Sequence, residues 1–284
     1  MIDLHTHSYY SDGTASPAEV AALAKEAGLT AVALCDHNTV AGLPEFLAAA
    51  QAQGVEGVPG VELSTDYGDT ELHIVGLYIP AEGYAELTAA TEEVLRRKEL
   101  SNIRLVSALN EAGLALDYQT VRASTPDGFV NRAVIAAEMV RLGYVSSVKE
   151  AFSRWLRPEL GYFQPPKRMD VFEAIRLLKS LGAAAVLAHP FLNLDEAELR
   201  VFLTKAKQAG LDGMETLYST YSEETCRLSR SIAEEFGLLE SGGSDFHGRN
   251  KPDISVGTGR GTLCVPDQFL TQVKTVCGVP KKDG

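Results

Sequence analysis

Residues 1–12 read MIDLHTHSYYSD, and the rest of the chain is organised around them. Residues 1–4 form a short apolar strand that runs into His5-Thr6-His7. Residues two apart in a strand point the same way. His5 and His7 therefore offer two imidazoles to one point just past the strand's carboxyl end. Ser11-Asp12-Gly13 then turns the chain and adds a carboxylate. Imidazole and carboxylate are donors that Zn, Mn and Fe prefer. An isolated His-x-His near a terminus is usually surface chemistry, so the residues downstream decide its meaning.

Downstream the pattern repeats. Ser16-Pro17-Ala18-Glu19 opens a helix, with Ser as N-cap, Pro in the first turn and Glu placed for a capping box; Gly28 closes it. Residues 31–35 are an apolar run suited to a sheet buried on both faces, and they end in Asp36-His37-Asn38. Residues 42–53 form a helix closed by Gly54, and 56–62 a strand ending in Glu62. Strands that alternate with helices and end in potential ligands predict a parallel α/β barrel whose loops build the site. Residues 65–69 read as a turn, and 71–78, around His73, as a hairpin off the barrel.

From Pro80 the character changes. Residues 84–112 predict a long helix rich in Ala, Leu, Glu and Arg, and 131–142 and 147–156 shorter ones. No barrel-type strand falls between Pro80 and Pro166. Residues 80–166 therefore read as an inserted helical subdomain, and 1–79 with 167–284 as the barrel. Helix 171–181, strand 183–188 with His189-Pro190, helix 195–209, strand 212–216, helix 222–236 and strand 238–241 follow. The last strand leads into Gly242-Gly243-Ser244-Asp245-Phe246-His247, and a final helix starts near Pro266.

A chain of 284 residues, 45% hydrophobic, suits one α/β barrel with an insertion. The formal charge of −12 argues against a duplex-DNA face, which needs a basic surface. A small anionic substrate is still allowed, because divalent ions and a few arginines reverse the potential locally. Cys35, Cys226, Cys264 and Cys277 are scattered and read as buried small hydrophobes or inert thiols. With no bilayer-length apolar run and no signal peptide before the first strand, the expected setting is the cytoplasm, without a membrane or an obligate protein partner.

All six histidines, His5, His7, His37, His73, His189 and His247, stand at or near the ends of expected strands, beside Asp12, Glu62 and Asp245. Core histidines would also fall on helices and in mid-strand. The set is too large for one ion, so two or three divalent metals are expected. In order and spacing it resembles the polymerase and histidinol phosphatase (PHP) family, over the whole barrel. The resemblance implies a distorted TIM-like α/β barrel of about seven strands. It implies two to three ions, Mn2+ foremost, with Zn2+, Fe2+ or Co2+ as alternatives. The first would take His5, His7, Glu62 and Asp245. The second would share Glu62 and add His73 and His189. The third would take Asp12, His37 and His247; some members carry a histidine where this chain has Asp12. The insertion resembles a subgroup that removes the 3′-phosphate from nucleoside 3′,5′-bisphosphates, with relatives that trim short oligonucleotides from the 5′ end. Histidinol phosphate or another small phosphomonoester is the alternative substrate.

Water held between two divalent ions is a nucleophile at neutral pH, because its pKa falls to about 7. The ions also neutralise phosphoryl oxygens during in-line attack. No Ser or Cys nucleophile with a suitable base is found. The leaving 3′ oxygen has two candidate proton sources, a water on the third ion or Asp36, with support of the ligands as the other role for Asp36. Two readings of other classes compete. An amidohydrolase shares His-x-His after the first strand, but commonly sets a modified lysine between its metals, where this chain has Glu62. A non-catalytic PHP module would have lost ligands, and here the set is complete.

The insertion supplies candidates for holding the rest of a nucleotide. Arg97, Ser101 and Arg104 share one face of the long helix, with Leu95, Val106 and Leu109 opposite for packing. Asn131 caps the next helix and Arg132 lies in its first turn; a helix N-terminus with a guanidinium makes an anion site. With Asp12, His37 and His247 these are the expected substrate-binding residues. Arg104 and Arg132 lead the set, and Phe129 or Phe163 would stack on the base.

Overall fold

A computed structural model of the chain describes residues 1–125 and 130–279. The chain divides into two compact units, Met1–Thr88 with Arg168–Gly284, and Ala89–Lys167. The strands are β1 (Ile2–Thr6), β2 (Ala31–Leu34), β3 (Glu56–Tyr67), β4 (Thr70–Leu77), β5 (Met169–Asp170), β6 (Ala184–Leu187), β7 (Gly213–Tyr218) and β8 (Leu239–Gly243). The helices are α1 (Pro17–Glu26), α2 (Leu43–Gln53), α3 (Tyr84–Glu111), α4 (Tyr118–Ala123), α5 (Arg132–Arg141), α6 (Val148–Ala151), α7 (Val171–Ser180), α8 (Glu196–Ala209), α9 (Glu223–Glu235) and α10 (Asp267–Val276).

The first unit is a nearly closed α/β barrel. Its sheet runs β1-β2-β3-β4-β6-β7-β8, with β5 paired beside β3. At the seam the Asp245 N–H donates to the His5 carbonyl at 2.8 Å and the His7 N–H to the Phe246 carbonyl at 2.9 Å. Neighbours on the path are parallel except at β4, which runs antiparallel to both β3 and β6. Residues 71–78 are thus part of the barrel wall, not a hairpin outside it. The expected turn at 65–69 is also shorter: β3 runs to Tyr67, and the chain reverses at Gly68-Asp69. The side-chain alternation explains this. Leu72 and Ile74 belong to the outer core, Val75 and Leu77 to the inner one. A strand apolar on both faces belongs in a sheet covered on both sides.

The capping box of α1 forms as its sequence dictates: Ser16 Oγ accepts the Glu19 N–H, and Glu19 accepts the Ser16 N–H. Asp195 and Glu198 repeat the device at α8. Val171, Ala174, Ile175 and Leu178 of α7, at helical spacing, join Phe46 and Phe202 in the outer core. Inside the barrel, Ile2, Leu4, Val58 and Val186 meet Phe269 and Val273 of α10. Burying each such side chain contributes roughly 1.5–3 kcal/mol. This filling draws on positions early in the strands and leaves the carboxyl ends to polar groups.

The second unit is helical. Past Thr88 the buried stripe of α3 carries Val94, Ser101, Leu105 and Leu109, and α5 adds Ile135 and Met139. Ser101 therefore lies on the packed side, not on an open face with Arg97 and Arg104. Its hydroxyl is satisfied there by the Gln164 carbonyl. The helix expected over 147–156 is short: α6 gives way to a π-helical turn at Phe152–Leu156. Among the described residues no helix is long and apolar enough to cross a membrane.

Candidate metal centre

The predicted ligands converge at one end of the barrel, toward the carboxyl ends of its parallel strands and in the amino-terminal half of antiparallel β4. His5 lies in β1, with His7 and Asp12 after it; His37 follows β2, Glu62 and His73 lie in β3 and β4, His189 follows β6, and Asp245 and His247 follow β8. The backbone is bent to bring them in. Among the described residues four non-glycines have positive φ, and three of them, Asn38 (56°), His189 (27°) and Asp245 (55°), lie in these loops. Such strain concentrates at functional sites. At Gly243 a Cβ would stand 2.4 Å from the His5 Cβ, so β8 passes β1 this closely only with glycine.

Glu62 stands at the centre of five imidazoles. Its Oε2 is 3.2 Å from His5 Nε2, 3.2 Å from His7 Nε2 and 3.3 Å from His37 Nδ1. Its Oε1 is 2.8 Å from His73 Nδ1 and 3.0 Å from His189 Nε2. Asp245 Oδ1 is 3.2 Å from His7 Nε2 and 3.3 Å from His247 Nδ1. Asp12 lies 3.1 Å from His247 Nε2 and 3.7 Å from His37 Nε2. Three overlapping groups have the make-up of metal sites: His5, His7, Glu62 and Asp245; His37, Glu62 and His73; and His7, Asp12, His37 and His247. His189 is close to the second group through Glu62.

The local chemistry fits metal ions. His5 Nε2, His7 Nε2 and Glu62 Oε2 are buried and have no aligned hydrogen bond, although they face one another. Donors about 2.1 Å from a tetrahedral ion lie about 3.4 Å apart, close to the spacings here. Burial pushes the Glu62, Asp12 and Asp245 carboxyls up, but the surrounding imidazoles outweigh it and hold all three well below the usual range. Burial pulls His7 and His73 down. The carboxylates outweigh that as well, and carry His7 up to about 9 and His73 up to about 10. At His37 burial wins over Glu62 and Asp12, and the pKa falls to about 3.

A further layer of side chains surrounds these ligands, and of it only Asp36 was named from the sequence. Glu215 Oε1 lies 2.8 Å from His5 Nδ1, and the Tyr218 hydroxyl donates to Asp245 Oδ2 at 2.7 Å, with Lys251 on the same oxygen. Glu71 is 3.2 Å from His73 Nε2 and pairs with Arg168. Asp36 accepts from the Ser8 N–H, the Ser8 hydroxyl and the Ser11 hydroxyl at 2.8, 2.6 and 2.7 Å. Those three bonds engage both of its oxygens and tie down the loop that carries His7 and Asp12.

A family model of the PHP domain matches residues 3–157. The chain belongs to the PHP family. It is 35% identical over 246 residues to a 5′-3′ exoribonuclease of Haemophilus influenzae, covering 86% of this chain and 89% of that one. It is 31% identical over 260 residues to a 3′,5′-nucleoside bisphosphate phosphatase of Chromobacterium violaceum, covering 90% of each. A solved structure from Chromobacterium violaceum, described as an amidohydrolase with bound sulfate and no metal, matches with a TM-score of 0.83 at 28% identity, covering 95% of this chain and 96% of that one.

The other expected residues of this PHP chain lie in its second unit. Arg97 pairs with Glu93 at 2.7 Å. Asn131 caps α5 by accepting the Val134 N–H. Arg132 donates to the Leu156 carbonyl at 3.2 Å, and its guanidinium lies 4.3 Å from the Phe163 ring centroid. Phe163 is buried, with Arg132 over its ring, so it is not an open platform for a base. Arg104 is exposed. Phe129 lies outside the described residues.

Proposed function

We propose that this chain is a metal-dependent phosphatase that removes the 3′-phosphate from nucleoside 3′,5′-bisphosphates, turning adenosine 3′,5′-bisphosphate into AMP and phosphate. The observation that carries the reading is Glu62 buried among five imidazoles, in a chain with full-length relatives that are named for acting on nucleotides and RNA. His5, His7, Glu62 and Asp245 would hold one ion, Glu62, His73 and His189 a second, and Asp12, His37 and His247 a third, with Mn2+ the preferred metal. Bound divalent ions supply an activated water and neutralise the phosphoryl oxygens. A carboxylate at the centre, rather than a lysine, supports phosphoester over C–N hydrolysis.

One bond unites the two activities named in the relatives. A 5′-3′ exonuclease that releases 5′-mononucleotides breaks the bond between phosphorus and the 3′ oxygen of a 5′-phosphorylated nucleoside. A 3′,5′-bisphosphate phosphatase breaks the same bond, with a bare phosphate in place of the next nucleotide. A single site would therefore serve both substrates, and trimming of short 5′-phosphorylated oligonucleotides belongs to this proposal. The inserted segment, 80–166, would read the rest of the nucleotide, with Arg104 on the 5′-phosphate. The setting is the cytoplasm, where nucleotides and RNA fragments arise.

Phosphate release from adenosine 3′,5′-bisphosphate, histidinol phosphate and a 3′-monophosphate, with Mn2+ present, tests the reading. The bisphosphate should be turned over best, and a 5′-phosphorylated short RNA should release 5′-mononucleotides. Faster turnover of histidinol phosphate would overturn the substrate assignment. Arg104→Ala should weaken turnover of the bisphosphate by about 1.5–3 kcal/mol, as for hydrogen bonds to charged groups, and leave a 3′-monophosphate nearly unaffected. Equal losses on both would remove the 5′-phosphate role.

A further inference from the structure

Glu215 lies within β7, buried, with both carboxylate oxygens engaged. Oε1 is 2.8 Å from His5 Nδ1, and Oε2 accepts the His189 backbone N–H at 2.7 Å. The far sides of both partners meet at one place: His5 Nε2 is 3.2 Å and His189 Nε2 3.0 Å from the two oxygens of Glu62. The His189 backbone is the one held at φ 27°. A buried carboxylate is costly unless it is fully hydrogen-bonded. Its neighbour Met214 shows that this strand elsewhere serves the core with an apolar side chain.

We propose that Glu215 is a positioning residue for the inner metal cluster, resting on the reading that this cluster binds metal. It keeps the proton of His5 on Nδ1, which leaves the Nε2 lone pair facing the ion, and it anchors the loop that presents His189. Only a carboxylate accepts from both N–H groups. A glutamine offers one acceptor oxygen and an NH2 donor. If its oxygen takes the His189 N–H, its NH2 faces His5 Nδ1 and favours the tautomer with the proton on Nε2, which turns an N–H instead of a lone pair toward the ion. Among the described residues Glu215 makes no hydrogen bond to Asp12, His37 or His247, so the outer cluster should be indifferent to it.

Mn2+ titration of the metal-free wild type and Glu215→Gln, followed by calorimetry and by elemental analysis, tests the role, with Asp12→Ala marking which step belongs to the outer cluster. The expected result is an inner-cluster affinity lower by about 10–100-fold, as for lost support of a metal-binding histidine, with the outer step unchanged. In the Zn2+-loaded wild type, 15N-edited spectra should place the His5 proton on Nδ1, and the variant should lose that signal. Inner affinity within twofold of wild type, or equal loss at both clusters, overturns the proposal. A wild type that takes up no metal overturns the metal reading and this role with it; equal uptake by wild type and variant overturns this role alone. Should Glu215→Gln not yield folded protein, Glu215→Asp, which keeps the charge but shortens the reach, is judged on the same two steps.

Discussion

The inner and outer ends of the metal centre are built to different standards. His5, His7, Glu62 and Asp245 are at most 3% exposed; Glu215 holds His5 Nδ1, and Tyr218 and Lys251 hold Asp245 Oδ2. At the outer end the Asp12 side chain is 27% exposed and that of His37 11%. The nearest support of His37 Nδ1, apart from Glu62, is the Ser64 hydroxyl at 3.4 Å, a long contact. Charges attract more strongly where water is excluded. The inner end is therefore organised before any ion arrives, whereas the outer end leaves Asp12 and His37 partly in solvent and buries only His247. The ions should differ in affinity accordingly, the one held by His5, His7, Glu62 and Asp245 tight and the one held by Asp12, His37 and His247 exchangeable.

The largest expected effect lies at the residue that joins all the inner ligands. Glu62→Ala should empty the inner cluster and lower activity roughly a thousandfold or more, in keeping with the several kcal/mol that metal charge gives a phosphoryl transition state. Metal content and turnover measured on one preparation check this. A Glu62→Ala protein that keeps two ions and its rate would erase the distinction between inner and outer ends.

Next is a dependence on pH. In the metal-free protein His7 and His73 hold protons until about 9 and about 10, because nearby carboxylates outweigh their burial. A raised imidazole pKa contributes stability below its unfolded value near 6.5, and that stability is lost as pH rises through the folded value. The metal-free protein should therefore melt at lower temperature as pH climbs from about 6.5 to 10. Metal must displace those protons, so affinity should rise about tenfold per pH unit for each proton released. Calorimetry in buffers of different ionisation enthalpy counts the protons. Uptake with no proton release across this window would contradict the charge state assigned to the inner end.

A smaller loss is expected at the outer end. Asp12→Ala should remove one ion, leave the inner ones in place and lower turnover roughly 10–100-fold, the usual cost of loosening a metal site. A loss as deep as that of Glu62→Ala would mean that the two ends act as one unit.

Whether a group of this site is legible in the sequence depends on where it lies in the chain. His5, His7, His37, Glu62, His189, Asp245 and His247 were legible because a barrel gathers the residues at the carboxyl ends of its strands, and a polar cluster after an apolar run is visible in one dimension. Glu215 was not. It lies within a strand, and its meaning depends on the loop after β6 and on β1, which lies beyond β8 in the closed sheet, both reaching it. The wall position of β4 was missed because an antiparallel strand breaks the alternation of strand and helix, although Leu72, Ile74, Val75 and Leu77 already alternate between two apolar faces. Ser101 was misplaced for a related reason. A serine on a helix reads as exposed until the Gln164 carbonyl that satisfies it is known.

The smallest expected effect separates two arginines of the second unit that sequence alone treats alike. Arg132 is committed within its own unit: it lies 4.3 Å from the Phe163 ring centroid and donates to the Leu156 carbonyl. Arg104 is exposed on α3. Removing Arg132 should therefore act on stability first. A guanidinium over an aromatic ring contributes about 1 kcal/mol, which for a chain of this size shifts the melting temperature by roughly 2–4 °C. Arg132→Ala should show that shift with a similar fractional change on bisphosphate and monophosphate, whereas Arg104→Ala should show the opposite pattern. If Arg132→Ala instead keeps its melting temperature and loses turnover only on the 3′,5′-bisphosphate, its guanidinium is free to leave Phe163 for the 5′-phosphate, and the anion site at the start of α5 is the one that reads the nucleotide.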